Sequence, residues 1–534
     1  MTHLFRRQTA SLTLALLATA TLSAQDTTAS PVPARPLLVQ APTGDVPPPP
    51  PKELSAPSVP TTVPSATIAP ASPELTLQEC IARALRKNFD LEIGRYAPQI
   101  AQGSIEVAKG GYDPLLSLSG SQSKNTTGAS GVSAGSDSTN SDLRVGVTQQ
   151  LFSGTTLSAS SQLDRSRLNP ATIVGALNPA YNADVTLSVR QNLLAGLNPE
   201  VNKAAINRAH IGLDVANLNF KAQALTVIQN TEAAFYNLAF AREQLVVFNT
   251  SLALAQRLHD EAKTRRETGV ATDLDVLQAE VGVANARRNV ILAGQTVKDR
   301  QDALLALIGQ FELDQAVGPV HFPEVSPAVP VFTSSLQAAK DNQPDFLAGR
   351  AALDQYKIDV LVAKDAVKPN LSAGVALGLS GRNGSGSDAY SDAIDRQSHS
   401  WQVDFSFSYP LGQRTNKARY QQSLSTLNRE QVRLRQLEQS IEVQVRSAVR
   451  SVETNLENVK IAALSSELSQ KQYDLEEARF KAGVSTSYRV LQAQTDLDTA
   501  RVNELQAKVN LNNAISALHR VEGSSLQRYA IQLP

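Results

Sequence analysis

Two spacings of apolar residues alternate along this chain, and their succession is written twice. Between Leu75 and Tyr112, the residues Leu77, Ile81, Ala84, Leu85, Leu91, Ile100, Ile105, Val107 and Ala108 recur at helical intervals. Thr76 is placed to cap the first turn, and Pro114 ends the run. Beyond the proline the period falls to two. Leu143, Val145, Val147, Gln149 and Leu151, then Val185, Leu187, Val189, Gln191 and Leu193, alternate with positions such as Arg144, Thr148, Thr186, Ser188 and Arg190. The second half repeats the change after Pro369, with Leu371, Ala373, Val375, Leu377 and Leu379, then Trp401, Val403, Phe405, Phe407 and Tyr409. These segments predict two-faced strands. The stretches Ser123 to Ser141 and Gly381 to Ser398, rich in Gly, Ser and Asn, predict loops. A turn at Ser153-Gly154 predicts an extra hairpin, Thr155 to Gln162 and then Leu168 to Ala180.

After the strands, helical spacing continues without a break over about Asn198 to Thr268 and about Thr415 to Ala482. At 1.5 Å per residue each is a rod on the order of 100 Å long, more than a globular domain holds. The shorter helices of each half, Leu75 to Tyr112 and Thr272 to Ile308 in the first, add up to about that length and would lie end to end beside the rod. In the last of them a heptad seam runs Ala493, Leu497, Ala500, Glu504, Ala507, Leu511, Ala514 and Leu518. The first half carries the same seam at Ala279, Val283, Ala286, Val290, Ala293, Val297, Arg300 and Leu304. Val502, Leu505 and Val509 add a second strip, so this helix predicts neighbours on two sides. An ordinary antiparallel hairpin with a wide core face satisfies the periodicity as well.

The repetition is literal in places. Gly269-Val270-Ala271-Thr272-Asp273-Leu274-Asp275-Val276-Leu277-Gln278-Ala279 returns as Gly483-Val484-Ser485-Thr486-Ser487-Tyr488-Arg489-Val490-Leu491-Gln492-Ala493, in register to Gly309 and Gly523. Each copy opens on a glycine between two helical patterns, where a left-handed residue suits a helix-turn-helix tip. Farther upstream, Asn88-Phe89-Asp90-Leu91, Gly94-Arg95, Ala108-Lys109 and Pro114 match Gln343-Pro344-Asp345-Phe346, Gly349-Arg350, Ala363-Lys364 and Pro369. The chain reads as an internal duplication: a first repeat over 74–332, a second over 333–523 and a tail over 524–534.

Composition narrows the class. Charges balance at 50 Lys+Arg against 50 Asp+Glu with no long basic run, which removes the electrostatic footprint of a nucleic-acid binder. The single cysteine, Cys80, makes neither a disulfide nor a zinc site and predicts a small buried residue. Six histidines show no metal-ligand spacing, and no phosphate loop or nucleophile elbow occurs, so nothing positive supports an enzyme or a bound cofactor. Arg6, Arg7 and the apolar run from Leu12 to Ala18 read as a secretory signal over 1–24, cleaved near Ala24. A Pro-rich, extended leader follows over 25–73, with Pro47 to Pro51 in a row. No later segment approaches the roughly 18 uncharged apolar residues of a membrane helix, so a membrane would have to be crossed by strands. One strand face of small polar residues, with long polar loops at one end, suits a barrel with a wet lumen. Four to six strands fall short of the roughly eight that close one, which calls for an oligomer.

The order of short helix, strands, long helix, Gly turn and short helix, all repeated, resembles the TolC-like outer-membrane efflux protein family over about Leu75 to Gly523. The segment carrying the likeness is Arg479-Phe480-Lys481-Ala482-Gly483-Val484-Ser485 through Val490-Leu491-Gln492-Ala493, with Ala500 and Arg501, and its first copy at Arg265, Gly269, Val270, Thr272, Asp275, Leu277 and Ala279. The resemblance implies a mainly α fold with a membrane β-barrel portion: a homotrimer whose strands close one outer-membrane barrel in the lipid, continued by a periplasmic α-barrel of coiled-coil hairpins. It implies a passive duct fed by a periplasmic adaptor and an inner-membrane pump, with drug, metal or protein cargo all open. By this resemblance Thr272, Asp273, Asp275, Ser485, Arg489 and Gln492 line the periplasmic entrance, and Arg265, Gly269, Val270, Arg479, Gly483 and Val484 form adaptor-contact tips. Trp401, Val403, Phe405, Phe407 and Tyr409 face lipid, with Trp401 and Tyr409 suited to aromatic girdles. An Asp275–Arg489 pair, within one protomer or between neighbours, would hold the entrance closed. Two features depart from the family. Pro114 to Gly269 is about 40 residues longer than Pro369 to Gly483, and Arg489 and Gln492 stand where the family often has acids. The rival from another class is a periplasmic structural coiled-coil scaffold, which has no use for the amphipathic Trp401 strand.

Overall fold

The computed structural model describes residues 75–128, 131, 135–169, 176–312, 317–320, 322, 329–395 and 398–531. The signal and leader expected over 1–73 lie outside them. The helical run before Pro114 is three helices, not one: α1 (Leu77–Lys87), α2 (Phe89–Gly94) and α3 (Tyr96–Gly110). Thr76 caps α1, its hydroxyl accepting from the Glu79 N–H at 3.3 Å. The first break is made by Asn88, whose side-chain carbonyl accepts the Asp90 N–H at 2.9 Å and so starts α2. Cys80 is fully buried here, and burial pushes its thiol up to about 12.

β1 (Leu115–Thr127) begins one residue after Pro114 and leads through β2 (Ser136–Gln150) and β3 (Thr155–Asn169) to β4 (Ala180–Asn192). α4 (Pro199–Asn202), α5 (Ala204–Glu267) and α6 (Asp273–Ile308) complete the first half. The second half retraces this path. α7 (Phe332–Asn342) breaks at Gln343, the duplicate of Asn88, before α8 (Pro344–Asp365). Pro344 takes the first helical position, where its missing N–H costs nothing. β5 (Asn370–Asn383), α9 (Gly386–Ile394), β6 (Ser398–Ser408), α10 (Arg414–Lys481), α11 (Ser487–Glu522) and α12 (Ser525–Arg528) follow.

The six strands form one antiparallel meander in chain order. Three loop and strand expectations are corrected. Most of Ser123 to Ser141 is strand, because β1 reaches Thr127 and β2 starts at Ser136. Both faces are polar there, so the ladder continues on backbone hydrogen bonds alone and leaves no alternation to read. Of the expected strand Leu168 to Ala180, Leu168 and Asn169 end β3 and Ala180 starts β4, while residues 170–175 lie outside the described residues. The Gly381 to Ser398 stretch contains α9, capped by Ser385 and seated on the sheet through the buried Ala389 and Ala393 beside Ala183. Tyr409 lies one residue past the end of β6.

At 64 and 68 residues, α5 and α10 are about 96 and 102 Å long. Near the sheet the helices lie in the order α3, α5, α8, α10, and in the far half α6, α5, α11, α10. Four helices therefore stand abreast at each level. The expected seam is the buried face of α11: Ala493, Leu497, Ala500, Ala507, Leu511, Ala514 and Leu518 are all at most 9% exposed. Its second strip also finds a partner, since Val509 enters a core built mainly by the first half while Leu511 and Leu518 belong to one built by the second. In α6 the seam holds at Ala279, Ala286, Ala293 and Leu304, but Arg300 is exposed. In the described part of the tail, Leu526 and Tyr529 pack into the first-half core, and the Tyr529 hydroxyl donates to the buried Glu232 carboxylate.

Gly269 and Gly483 adopt φ of 76° and 78°, the left-handed residues that the repeat required. A Cβ at Gly483 meets no atom within 4 Å, so Gly483→Ala carries only the conformational penalty of about 1 kcal/mol. Gly212, inside α5, has its nearest neighbour at 3.8 Å, and Gly212→Ala gains about 1 kcal/mol of helix propensity. Amide hydrogen exchange read around each site should be faster by roughly five-fold at Gly483→Ala and slower by a similar factor at Gly212→Ala. Equal signs at the two positions would contradict the turn geometry.

Candidate functional site: helical tips and sheet face

The two tips are built alike. At the first, the Val270 N–H reaches the Arg265 carbonyl at 2.8 Å and the Gly269 N–H reaches Arg266 at 2.9 Å. At the second, Val484 reaches Arg479 and Gly483 reaches Phe480, both at 3.0 Å. This pair of bonds satisfies the last carbonyls of a helix around a left-handed glycine. It leaves Val270 and Val484 as apolar points, each 75% exposed.

Side chains around the tips diverge between the copies. Asp275 and Thr272 form a reciprocal cap on α6: the carboxylate accepts the Thr272 N–H at 2.9 Å, and the Thr272 hydroxyl accepts the Asp275 N–H at 3.3 Å. The bonds from Thr272, backbone then hydroxyl, hold the Asp275 carboxyl below the usual range. Asp273 pairs with Arg266 across the turn at 2.5 Å. Arg489 is exposed on α11, one turn before Gln492, whose amide donates to Asp496 at 3.0 Å. No ion pair joins Asp275 to Arg489 within one chain among the described residues. One carboxylate oxygen of Asp275 is held at the α6 N-terminus by the Thr272 N–H and hydroxyl.

Arg265 and Arg479, equivalent by duplication, do different things. Arg265 is turned between the hairpins, over the Phe480 ring at 4.0 Å, and donates to the Phe480 carbonyl at 3.1 Å. Arg479 stays exposed and meets Glu476 at 3.4 Å. Glu476 also accepts from the Ser485 hydroxyl, and that bond, with Arg479 and Arg489 nearby, holds its carboxyl below the usual range. The second tip thus has an acid after all, on α10 and not on α11. Sequence reading missed it because only the turn brings position 476 beside 485. Behind the tips, Gln494 donates to the Ser251 carbonyl at 2.8 Å, and a Cβ at Gly282 would lie 3.0 Å from Leu491 Cδ1. α6 and α11 meet there with no room to spare.

At the other end of the molecule, the strand register sorts side chains onto two faces. Leu371, Ala373, Val375 and Leu377 stand opposite Phe407, Phe405, Val403 and Trp401. The same face continues through Leu187 and Val189, Ala159 and Leu157, Val147 and Val145, to Leu116 and Leu118 on β1. Trp401 and Phe405 are each 73% exposed in the single chain, and Tyr409 is 42% exposed. The opposite face carries Ser117, Arg144, Thr148, Ser158, Ser188 and Ser406. On it Gly374 lies opposite both Arg190 and Asp404, and this gap lets the two charges pair across β5 at 3.3 Å. β1 and β6 each leave one edge unpaired within the sheet. Among the described residues no helix is long and apolar enough to cross a membrane.

Comparison with known proteins gives the same picture. The family described as outer membrane efflux protein matches residues 156–310 and 335–524, one segment in each half. The pyoverdine export outer membrane protein OpmQ of Pseudomonas putida is 24% identical over 360 residues, 65% of this chain and 71% of that protein. Outer membrane protein TolC of Escherichia coli is 22% identical over 321 residues, 57% of this chain and 64% of its own length. The solved outer-membrane channel OprN superposes with a TM-score of 0.64 at 18% identity, covering 84% of this chain and 90% of that one. With both halves matched and the duplicated architecture in place, this chain belongs to the outer membrane efflux protein family.

Proposed function

We propose that the protein is a passive outer-membrane duct: three copies close one barrel in the lipid and one helical tube in the periplasm. A periplasmic adaptor and an inner-membrane pump would deliver cargo to its tips. The observation that carries this reading is the sheet, apolar on one face, polar on the other and open at both edges. In hydrocarbon such edges must find partners, and β6 of one copy against β1 of the next supplies them. The helical layer offers the same two edges, α3 and α6 on one side and α10 on the other. Each bears an exposed apolar stripe: Tyr96, Ile100 and Val107 on α3, Val281, Ile291 and Leu292 on α6, and Ile461, Leu464, Leu468 and Leu475 on α10. Joining unlike edges head to tail closes a ring. Three copies of two alike tips present six similar points, a surface suited to a six-fold adaptor. Closure by Asp275 and Arg489 is in this reading a contact between neighbouring protomers.

Three measurements bear on the proposal. With Phe405 on the apolar face and Ser406 on the polar one, Phe405→Arg should cost about 2–4 kcal/mol near the bilayer midplane and sharply reduce assembled protein in outer membranes. Ser406→Arg should assemble normally, and equal yields would mean that the lipid face is misassigned. Ile291→Cys combined with Leu464→Cys should give oxidation-dependent ladders up to a covalent ring on denaturing gels, whereas either single variant should stay monomeric. Cysteines at Val270 and Val484 should cross-link to an adaptor in cells and resist labelling by impermeant thiol reagents added outside; labelling from outside would reverse the orientation.

A further inference from the structure

The two halves put unequal numbers of strands into the sheet. Pro369 leads through β5 and β6 to α10, whereas Pro114 leads through four strands to α5. β1 and β5 follow the matched prolines, and β4 and β6 precede the matched long helices. The β2–β3 hairpin is therefore the addition, and it accounts for the surplus of about 40 residues before Gly269.

This hairpin is part of the wall. β2 pairs with β1 from Ser136 to Thr148, and β3 pairs with β4 from Thr155 to Ser166. Its side chains continue both faces, with Val145 and Leu163 in line with the Trp401 face and Arg144 and Ser160 in line with Ser406. α9, in the β5–β6 connection, rests on the apolar face, where Ala389 and Ala393 cover Ala183 and Gly381. It leaves the polar face clear.

The consequence is one of circumference. Three protomers with four helices abreast give twelve helices, which at about 9 Å spacing make a tube roughly 110 Å around. Three copies of six strands give eighteen, and strands about 4.8 Å apart tilted about 40° make a barrel of roughly the same 110 Å. Without the hairpin, twelve strands would measure about 75 Å around, narrowing the backbone diameter from about 36 to about 24 Å.

Resting on the duct reading above, we propose that the β2–β3 hairpin widens the outer-membrane exit to the bore of the helical tube. Cargo that clears the tips then meets no second size filter in the membrane, and the duct accepts bulky hydrophilic cargo that a twelve-stranded exit would hold back. The test uses the purified full-length assembly. Electron cryo-microscopy should count eighteen strands in the barrel; a ring with twelve would overturn this inference and leave the duct standing, and the absence of any ring would overturn both. In planar bilayers, uncharged polyethylene glycols added at the loop side should enter the wild-type mouth up to about 13 Å hydrodynamic radius. Excising residues 128–179 behind a short Gly-Asn linker, so that β1 passes directly to β4, should lower that cut-off about two-fold. An unchanged cut-off would overturn the proposal. Should the excised protein not assemble, a wild-type cut-off near 7 Å would do so on its own.

Discussion

An unpaired strand edge inside a hydrocarbon layer leaves a row of N–H and C=O groups with neither water nor protein to meet them, at several kcal/mol each. In this chain those edges are β1 and β6, and much of the remaining architecture is arranged about them. α3 runs into β1 across Pro114, and β6 runs into α10 across residues 409–413. The edges of the sheet are consequently the edges of the helical layer, so in the proposed assembly one head-to-tail operation would complete both. The apolar stripes on α3, α6 and α10 are exposed in the single chain, and the same operation would cover them.

Duplication explains how a layer this long holds together. Each half alone is a rod with shorter helices against it, and the buried groups are shared between halves. Leu258 of the first half packs with Tyr473, Phe480, Val490 and Leu497 of the second. Val509 of the second enters the first-half core, which the C-terminal Leu526 and Tyr529 also seal. Alanine at alternate seam positions lets α11 approach α10 and α5 closely, and Gly282 does the same for α6 against Leu491. Polar cross-links accompany this apolar contact, through Gln494 on Ser251 and Arg265 on the Phe480 carbonyl. Equivalent residues have drifted into unequal roles. Arg265 bridges hairpins where Arg479 faces solvent, and the first half carries two more strands than the second.

What the residues determine alone is whatever depends on neighbours along the chain. The helical and strand periods, the left-handed glycines at 269 and 483, the Thr76 cap and the alanine seam are local or repeat at fixed intervals, and each is present where the pattern puts it. The duplication was equally legible, because two copies in register need no structure to be aligned. Tertiary structure alone decided the rest. The polar outer ends of β1 and β2 are strand because a partner backbone lies alongside, a cause that leaves no trace in side-chain alternation. α9 forms where Ala389 and Ala393 find the small surface of Ala183 and Gly381. Glu476 meets Ser485 only after the turn has closed, and within one chain Asp275 caps its own helix through Thr272 and makes no pair with Arg489. Pairings between segments far apart in the chain depend on direction and distance in space, and composition and spacing carry neither.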